Sequence, residues 1–375
     1  MGGNFIAEYL GNIISVCFTV ETEGEKIKIG NGEPLFNVTI KKPIKKTELI
    51  TSTSLALGEA YMRGDIELDK DLYYVLNLFL GNMAKFSTDE HALKGIIKTS
   101  VSKMNQKKEV SSHYDIGNDF YKLWLDKSMT YSCAYFKDGN EDLDKAQEDK
   151  VDHILDKLQI EEGMSLLDIG CGWGALLIRA AKKYKIKGLG ITLSSEQAKG
   201  FSETIKKEGL EDLLSVEIMD YRDLEKSGKK FDRIVSVGMI EHVGRKNYDL
   251  FIKNVHSVLN DGGLFLLHFI SALKEHPGDA WIKKYIFPGG MIPSLREIIN
   301  ILPDYNFYTL DVESLRRHYN KTLLCWRNNF NGHREEIEKM MGVEFTRMWD
   351  LYLAACAATF NNGIIDLHQI LMSKG

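Results

Sequence analysis

Three glycines within five residues end a short apolar run. The run LLDI at positions 166–169 leads directly into GCGWG at positions 170–174. Glycines let the main chain turn sharply and let a ligand approach the backbone without interference from a Cβ atom. The GxGxG spacing differs from the GxGxxG of dinucleotide-binding loops. Asp168 would repel a pyrophosphate but suits a cationic amino-acid group. We therefore expect this loop to bind a nucleotide-like ligand that carries a positive charge.

Four side chains suited to acid–base chemistry or hydrogen bonding are spread along the chain: Cys133, Glu241, His268 and Tyr319. Each also has an ordinary interpretation, as a buried cysteine, a helix cap, a core histidine and a packed tyrosine. Glu241 follows an expected strand at 231–237, and His268 lies late in an apolar run at 264–270. Such positions suggest one shared pocket.

Strands and helices that alternate from about residue 147 onward must position these residues. Apolar runs predict strands at 165–169, 186–191, 214–219, 231–237 and 263–270, with helices at 175–184, 194–208 and 248–259. This alternation predicts a parallel sheet that helices cover on both faces. Ligands of such sheets bind beyond the carboxyl ends of the strands. The glycine loop, Glu241 and His268 are all expected at that edge.

The first part of the chain has a different pattern. Short β-like runs at 15–20 and 36–40 precede helical patterns at 54–62 and 72–80. Residues 94–108 contain five lysines and no acid, and apolar residues recur along one helical stripe beside them. Such a helix could lie against an anionic membrane. Pattern alone favours a linker helix whose apolar side packs on protein.

Composition excludes several classes of protein. The 375 residues include 48 basic and 53 acidic side chains, a net charge of -5 that argues against a nucleic-acid partner. No apolar run approaches the roughly 18 residues that cross a bilayer. The five cysteines are scattered without a CxxC pair, so neither a disulfide scaffold nor a metal site is expected. We expect a cytoplasmic protein of about two domains.

The glycine loop resembles the S-adenosylmethionine motif of class I methyltransferases. Six other segments resemble, in order, the cyclopropane fatty acid synthase family: HYDIGNDFY at 113–121, YSCAYF at 131–136, EHVG at 241–244, LHFI at 267–270, KYIFPGG at 284–290 and HYNKTL at 318–323. This resemblance runs from about residue 110 to the end of the chain. Before it, LGEAYM at 57–62 and GD at 64–65 resemble the N-terminal domain of bacterial members less closely.

The resemblance implies an α/β fold with the seven-stranded, Rossmann-like sheet of class I methyltransferases and a smaller N-terminal α+β domain. It implies a lipid-contact domain at 1–90, a linker helix at 91–110 and a catalytic domain at 111–375. The implied reaction transfers the methyl group of S-adenosylmethionine to the cis double bond of unsaturated acyl chains in membrane phospholipids. Bicarbonate then acts as the base for closure of a cyclopropane ring. Transient contact with the inner face of the membrane and a homodimer are further expectations.

Three alternatives stay open. A methyl-branched fatty acid synthase would share the first steps, and a small-amine N-methyltransferase would need no distant base. The third alternative is an inactive lipid-binding module, against which the intact glycine loop argues.

The resemblance also implies two groups of site residues. Bicarbonate would be held by the side chains of Cys133, Glu241, His268 and Tyr319 and by the main-chain amide of Ile270. The methyl donor would be lined by Tyr131, Ser132, Asp168, Gly170, Gly172, Gly174, Thr192, Leu193, Gln197, Asp220 and Tyr221. The second expected strand ends in GITLS at 190–194, without the acid that usually binds ribose, so other polar groups must hold it. Residues 281–292 could cover an acyl channel or form a surface loop.

Overall fold

A computed structural model describes residues 2–82, 116–139 and 141–375. The chain forms two compact units. One consists of Met1–Lys98, Pro277–Pro288 and Leu323–Ile364, and the other of Thr99–His276, Gly289–Thr322 and Ile365–Gly375. The predicted linker helix at 91–110 and the lysine-rich stretch at 94–108 lie outside the described residues. The predicted domain boundaries therefore stay predictions.

The first unit contains a four-stranded sheet in the order β2-β1-β3-β4. Its strands are β1 Phe18–Thr22, β2 Glu25–Ile29, β3 Asn37–Ile40 and β4 Ile66–Leu68. Its helices are α1 Gly2–Ile13, α2 Lys46–Thr51, α3 Thr53–Met62, α4 Leu72–Gly81 and, from later in the chain, α10 Ala280–Tyr285, α13 Arg334–Met341 and α14 Val343–Asn361. The β-like and helical runs predicted before residue 82 correspond to β1, β3, α3 and α4.

Local chemistry explains where two of these helices begin and how one of them is packed. The side chains of Ser52 and Asp71 accept hydrogen bonds from the first turns of α3 and α4, respectively. Gly58 of α3 lies so close to the indole of Trp281 in α10 that an added Cβ atom would stand 2.4 Å from a ring carbon. Glu59 accepts hydrogen bonds from Lys284 at 2.6 Å and from the Tyr285 hydroxyl at 2.9 Å. The segment LGEAYM thus provides the surface on which α10 packs.

The second unit contains a seven-stranded sheet in the order β10-β11-β9-β8-β5-β6-β7. Its strands are β5 Ser165–Ile169, β6 Lys187–Thr192, β7 Leu214–Ile218, β8 Phe231–Val237, β9 Leu259–Ala272, β10 Phe307–Ser314 and β11 Ile365–Lys374. Its helices are α5 Asn118–Lys122, α6 Leu143–Lys157, α7 Ala175–Tyr184, α8 Ser195–Lys207, α9 Tyr248–Val258, α11 Leu295–Ile301 and the start of α12 Arg316–Gly332. Short 3-10 helices occupy Tyr221–Asp223, Glu225–Ser227, Ile240–His242, Arg245–Asn247 and Leu302–Tyr305.

The predicted seven-stranded sheet and smaller N-terminal unit are confirmed. Strands β5 to β8 and helices α7 to α9 lie within one residue of their predicted ends, whereas β9 is longer than predicted. The sheet is mixed: β5, β6, β7, β8 and β9 pair in parallel, but β11 is antiparallel to both β9 and β10. The five strands predicted from the alternation therefore pair in parallel as expected, and β10 and β11, which were not predicted, make the sheet mixed. Edge strand β10 is mostly exposed, including the alternating apolar residues Tyr308, Leu310 and Val312.

Two apolar cores cover the two faces of this sheet. Helices α6, α7 and α8 bury their apolar sides on one face, and α9 and α11 bury theirs on the other. This is the layered arrangement that holds the carboxyl ends of the parallel strands at one edge. Among the helices of the described ranges, none is both long and apolar enough to cross a lipid bilayer.

Replacing Gly174 by alanine should destabilise the protein strongly. Its φ is +86°, and an added Cβ atom would lie 2.1 Å from the Phe201 ring. The left-handed conformation and the overpacking together should lower the free energy of unfolding by about 2–4 kcal/mol. Urea denaturation of wild type and variant measures this difference.

Gly209→Ala is the matched control, since φ there is +64° but no atom lies within 4 Å of the added carbon. We expect it to cost only about 1 kcal/mol. Equal losses of unfolding free energy in the two variants would show that the contact with Phe201 does not explain why position 174 requires glycine.

Candidate active site

A cavity opens at the carboxyl ends of β5, β6, β7 and β8. Ten of the eleven residues predicted to bind the methyl donor line it: Tyr131, Ser132, Asp168, Gly170, Gly172, Thr192, Leu193, Gln197, Asp220 and Tyr221. The eleventh, Gly174, is absent from the lining and packs against Phe201 instead. The fold thus brings the predicted donor residues together, while their role in binding stays a prediction.

The glycine loop is held in place by the neighbouring strand. The main-chain amides of Gly170 and Cys171 both donate to the carbonyl of Ile191 at the end of β6, at 2.9 and 3.1 Å. Gly172 has a φ of +54°, and a Cβ atom added there would meet nothing within 4 Å. A side chain at this position would project into open space in the cavity wall. Gly172 therefore keeps the backbone accessible to a ligand.

Asp168 places a buried carboxylate in the cavity wall. The residue is 3% exposed, and its Oδ1 atom has no hydrogen-bond partner. Burial raises the pKa of this carboxyl to about 7, although nearby Lys150 lowers it. A buried carboxylate with an unpaired oxygen favours a cationic ligand group. Asp168 was expected to support the glycine loop, but its Oδ1 atom makes no hydrogen bond to the loop.

Lys150 is a site residue that the sequence analysis missed. This α6 lysine is 3% exposed, lines the cavity, and its Nζ atom donates to the Ser132 hydroxyl at 3.0 Å. Burial lowers the pKa of the ammonium group to about 8. One signal was available: Lys150 occupies the same helical face as the buried residues Ala146 and Ile154. A lysine on a buried face needs a polar partner.

Polar groups beyond β6 and β7 are held by each other. The Thr192 hydroxyl donates to Gln197 Oε1 at 2.8 Å, and Asp220 receives two hydrogen bonds from the Arg222 guanidinium at 2.8 and 2.6 Å. The hydroxyl of Tyr221 is buried without a partner. The acid that usually binds ribose is missing at the end of β6, and these nearby polar groups could contact a nucleoside instead.

Glu241 lies in the 3-10 helix that follows β8, at the same edge of the sheet. Its Oε1 atom accepts a hydrogen bond of 2.7 Å from the main-chain amide of Ile270, whereas Oε2 is buried without a partner. Burial raises the pKa of this carboxyl to about 7. The Ile270 amide was expected to donate to an anion, but here it donates to Glu241. It therefore orients the carboxylate.

His268 lies two residues before Ile270 on β9. Its carbonyl accepts a hydrogen bond of 2.8 Å from the amide of Gly238, a residue that lines the donor cavity. The imidazole is 1% exposed, and its Nε2 atom has no partner. Burial lowers the pKa of His268 to about 3, so the ring is neutral. His268 thus offers one unpaired ring nitrogen next to the cavity wall.

Cys133 and Tyr319 meet at Leu315. The Leu315 carbonyl accepts hydrogen bonds from the Cys133 thiol at 3.9 Å and from the Tyr319 amide at 3.1 Å. The Leu315 amide donates at 2.8 Å to Leu367, which pairs with Ile270 across β11 and β9. Burial raises the pKa of the Cys133 thiol, which is therefore neutral. Main-chain contacts thus connect the segments that carry Cys133, Tyr319, Ile270 and Glu241, but none of these residues, nor His268, lines the donor cavity. Their shared role in holding bicarbonate stays a prediction.

The segment HYNKTL holds the loop that carries Tyr131, Ser132 and Cys133. The Thr322 hydroxyl accepts a hydrogen bond of 3.0 Å from the amide of Ala134, and His318 Nδ1 accepts one of 3.0 Å from the amide of Phe136. The ring of Tyr135 stacks on both sides, against His153 and His318, with centroids 4.3 and 4.7 Å away. Much of this motif therefore positions the loop.

The segment at 281–292 is divided between the two units. Residues up to Pro288 belong to the first unit, where Trp281 and Tyr285 pack. In the second unit, the amide of Met291 donates to the carbonyl of Glu241 at 2.8 Å. That residues 281–292 cover an acyl chain stays a prediction.

Comparison with known proteins identifies the family. The model of the mycolic acid cyclopropane synthetase family matches residues 101–370, and a domain of unknown function matches residues 5–91. A probable fatty acid methyltransferase of Pseudomonas putida is 39% identical, covering 94% of this chain and 90% of the relative. The cyclopropane-fatty-acyl-phospholipid synthase of Escherichia coli K12 is 38% identical, covering 92% of this chain and 90% of the relative.

A solved structure supports the same assignment. The mycolic acid cyclopropane synthase CmaA1, complexed with SAH and CTAB, superimposes with a TM-score of 0.68 at 35% identity. The match covers 72% of this chain and 98% of that chain. The chain belongs to the mycolic acid cyclopropane synthetase family, and it is an S-adenosylmethionine-dependent methyltransferase.

Proposed function

We propose that the protein methylates the cis double bond of unsaturated acyl chains in membrane phospholipids and closes a cyclopropane ring, with bicarbonate as the base. The name of the E. coli relative supports the substrate and product. The observation that carries the proposal is that Glu241 Oε2 and His268 Nε2 are both buried without a partner, one just after β8 and the other on the neighbouring strand β9. Transfer of a methyl group to a simple amine would need no such buried groups.

The cavity residues fit S-adenosylmethionine, which supplies an electrophilic methyl group on a sulfonium centre. The unpaired Asp168 Oδ1 suits the α-ammonium group, and Lys150 with Ser132 offers donors for the carboxylate. Tyr221 has a buried hydroxyl available for the nucleoside. Gly172 leaves the main chain open to the ligand. These residues would bind and orient the donor.

The residues expected to hold bicarbonate fit a small anion in part by their chemistry. His268 would donate from Nε2, and Tyr319 would donate from its hydroxyl. Glu241 Oε2 would accept the proton that bicarbonate retains. A carboxylate beside an anion is otherwise repulsive, so the hydrogen bond from the retained proton of bicarbonate to Oε2 must offset the repulsion. The Ile270 amide fits less well, since it donates to Glu241. When bound, bicarbonate supplies a weakly nucleophilic base for a proton of the transferred methyl group.

One of three candidate aromatic rings lies in the wall of the donor cavity, where it would stabilise a carbocation on the acyl chain, although it also packs against Tyr121 and Trp124. Tyr131, Tyr135 and Phe136 are all candidates from the sequence, with cation–π attraction of about 1–2 kcal/mol. Both faces of Tyr135 are covered by histidines, and Lys321 lies over the Phe136 ring. Tyr131 lines the donor cavity. The proposal therefore assigns the role to Tyr131.

The substrate lies in a bilayer, so the enzyme must contact the membrane surface. We assign this contact to the N-terminal domain at 1–90, at the inner face of the membrane, with the lysines at 94–108 as a further candidate. A homodimer is part of the same proposal. Formation of a methyl-branched product without ring closure is the alternative, and the name of the P. putida relative, a probable fatty acid methyltransferase, fits either product.

Incubation with methyl-labelled S-adenosylmethionine and oleoyl phospholipid vesicles tests the reaction. We expect mass analysis of the fatty-acid methyl esters to show one added methylene and loss of the alkene. A small-amine methyltransferase would leave the lipid unlabelled, and an inactive binding module would transfer nothing. Mild hydrogenation saturates alkenes and leaves a cyclopropane ring intact. A labelled ester that becomes a methyl-branched chain under these conditions would contradict ring closure.

Glu241→Gln should reduce turnover while sparing donor binding. We expect turnover to fall by about 100-fold or more, the range for a positioned acid–base group, and the rate to lose its dependence on bicarbonate. In the wild type, turnover at saturating donor should decline as the pH falls below about 7, because Glu241 must be ionised to accept a proton. This decline should be absent from the residual activity of the variant.

Glu217→Gln is the control, since Glu217 pairs with Lys229 away from the cavity lining. It should leave turnover, donor affinity and the pH profile unchanged. A large loss of donor affinity in Glu241→Gln, measured by calorimetry, would contradict the assigned role.

A further inference from the structure

Gln369 is a buried polar residue that lies outside the lining of the donor cavity and is not among the residues proposed to hold bicarbonate. It lies on β11 directly opposite His268 of β9 in the antiparallel register. Gln369 is 0% exposed and His268 is 1% exposed. The amide nitrogen of Gln369 lies 3.1 Å from His268 Nδ1. The two side chains therefore form a buried polar pair between β9 and β11.

The chemistry of the pair determines where the imidazole proton resides. An amide nitrogen is only a donor, so His268 Nδ1 must accept this hydrogen bond and carries no proton. A neutral imidazole then has its proton on Nε2. The ring is neutral because burial, reinforced by Lys150 and Lys157, lowers the pKa of His268 to about 3. Nε2 is thus a donor and not a base.

The orientation of the Gln369 amide is also the less costly one. In the structure its Oε1 atom is buried without a partner. Rotating the amide by half a turn would let Oε1 accept from a protonated Nδ1, but would leave the NH2 group buried and unpaired. Unpaired buried carbonyls are tolerated more often than unpaired N–H groups. The packing around Gln369 therefore favours a single tautomer of His268.

We propose that Gln369 is a positioning residue that fixes His268 in the Nε2–H tautomer, so that His268 donates a hydrogen bond to the anion and cannot itself remove the methyl proton. The tautomer assignment depends only on the Gln369–His268 contact. The identity of the hydrogen-bond acceptor as bicarbonate rests on the proposed function.

Nitrogen-15 NMR of histidine-labelled protein measures the tautomer directly. Two-bond proton–nitrogen correlations show which ring nitrogen carries the proton, and His268→Asn identifies the signals. We expect Nε2–H for His268 in the wild type, without substrate or bicarbonate present. In Gln369→Glu the carboxylate can only accept, so the proton should move to Nδ1. Gln369→Leu should give a mixture of tautomers.

The neighbouring residue His368 provides an internal reference. Its Nδ1 atom pairs with the Ser271 hydroxyl at 2.7 Å, next to the pair under test on the same two strands. Its signals should not change in either variant. An Nδ1–H tautomer of His268 in the wild type would overturn the proposal. So would an unchanged Nε2–H signal in Gln369→Glu, and the wild-type spectrum decides the matter even if a variant fails to fold.

Kinetics separate a positioning role from a merely structural one. We expect kcat to fall by about 10- to 100-fold in Gln369→Leu, the range for residues that orient a ligand-binding histidine, with donor affinity unchanged. Equal loss of kcat and donor affinity would instead indicate a disturbed fold and contradict the proposal. If turnover proved independent of bicarbonate while the tautomer moved as expected, the proposed base would be wrong and the assignment of Gln369 would stand.

Discussion

The structure depends on one energetic constraint: it must offset the cost of burying polar atoms that have no hydrogen-bond partner. Asp168 Oδ1, Glu241 Oε2 and His268 Nε2 all meet this description, and all belong to the carboxyl edge of β5, β8 and β9. An unpaired buried group costs about 1–3 kcal/mol. A fold can maintain several of them only if its apolar cores offset the loss. The cores on both faces of the sheet fill this role, and we propose that these three atoms contact ligands.

A second layer of residues keeps those atoms in place. The Ile270 amide orients Glu241, Gln369 orients His268, and Lys150 contacts Ser132. The motif HYNKTL contributes mostly hydrogen bonds to the loop at 131–136. Few of these residues need touch a substrate. They set the direction of the groups that do, which is how a site attains the precision that proton transfer requires.

Much of the parallel part of the sheet could be predicted from the sequence, because its buried strands are apolar runs with helices between them. The antiparallel strands β10 and β11 were missed, although Tyr308, Leu310 and Val312 of β10 alternate with polar residues as in a strand. Strand β11 follows three consecutive helices, so the alternation of strands and helices did not indicate it. The residues expected to bind the methyl donor were predicted from sequence motifs, and ten of the eleven line one cavity. Lys150 and Gln369 were missed because a lysine in a charged helix and a glutamine in a strand look ordinary until their burial is known.

The proposed reaction depends on one step, in which a base held at this edge of the sheet removes a proton from the transferred methyl group. A donor whose methyl group carries three deuterons tests it most directly, with oleoyl phospholipid vesicles as acceptor. We predict a saturated cyclopropane product that retains two of the three deuterons. A product that retains all three would show that the proton came from elsewhere on the chain, and it would contradict the assignment of Glu241 and His268.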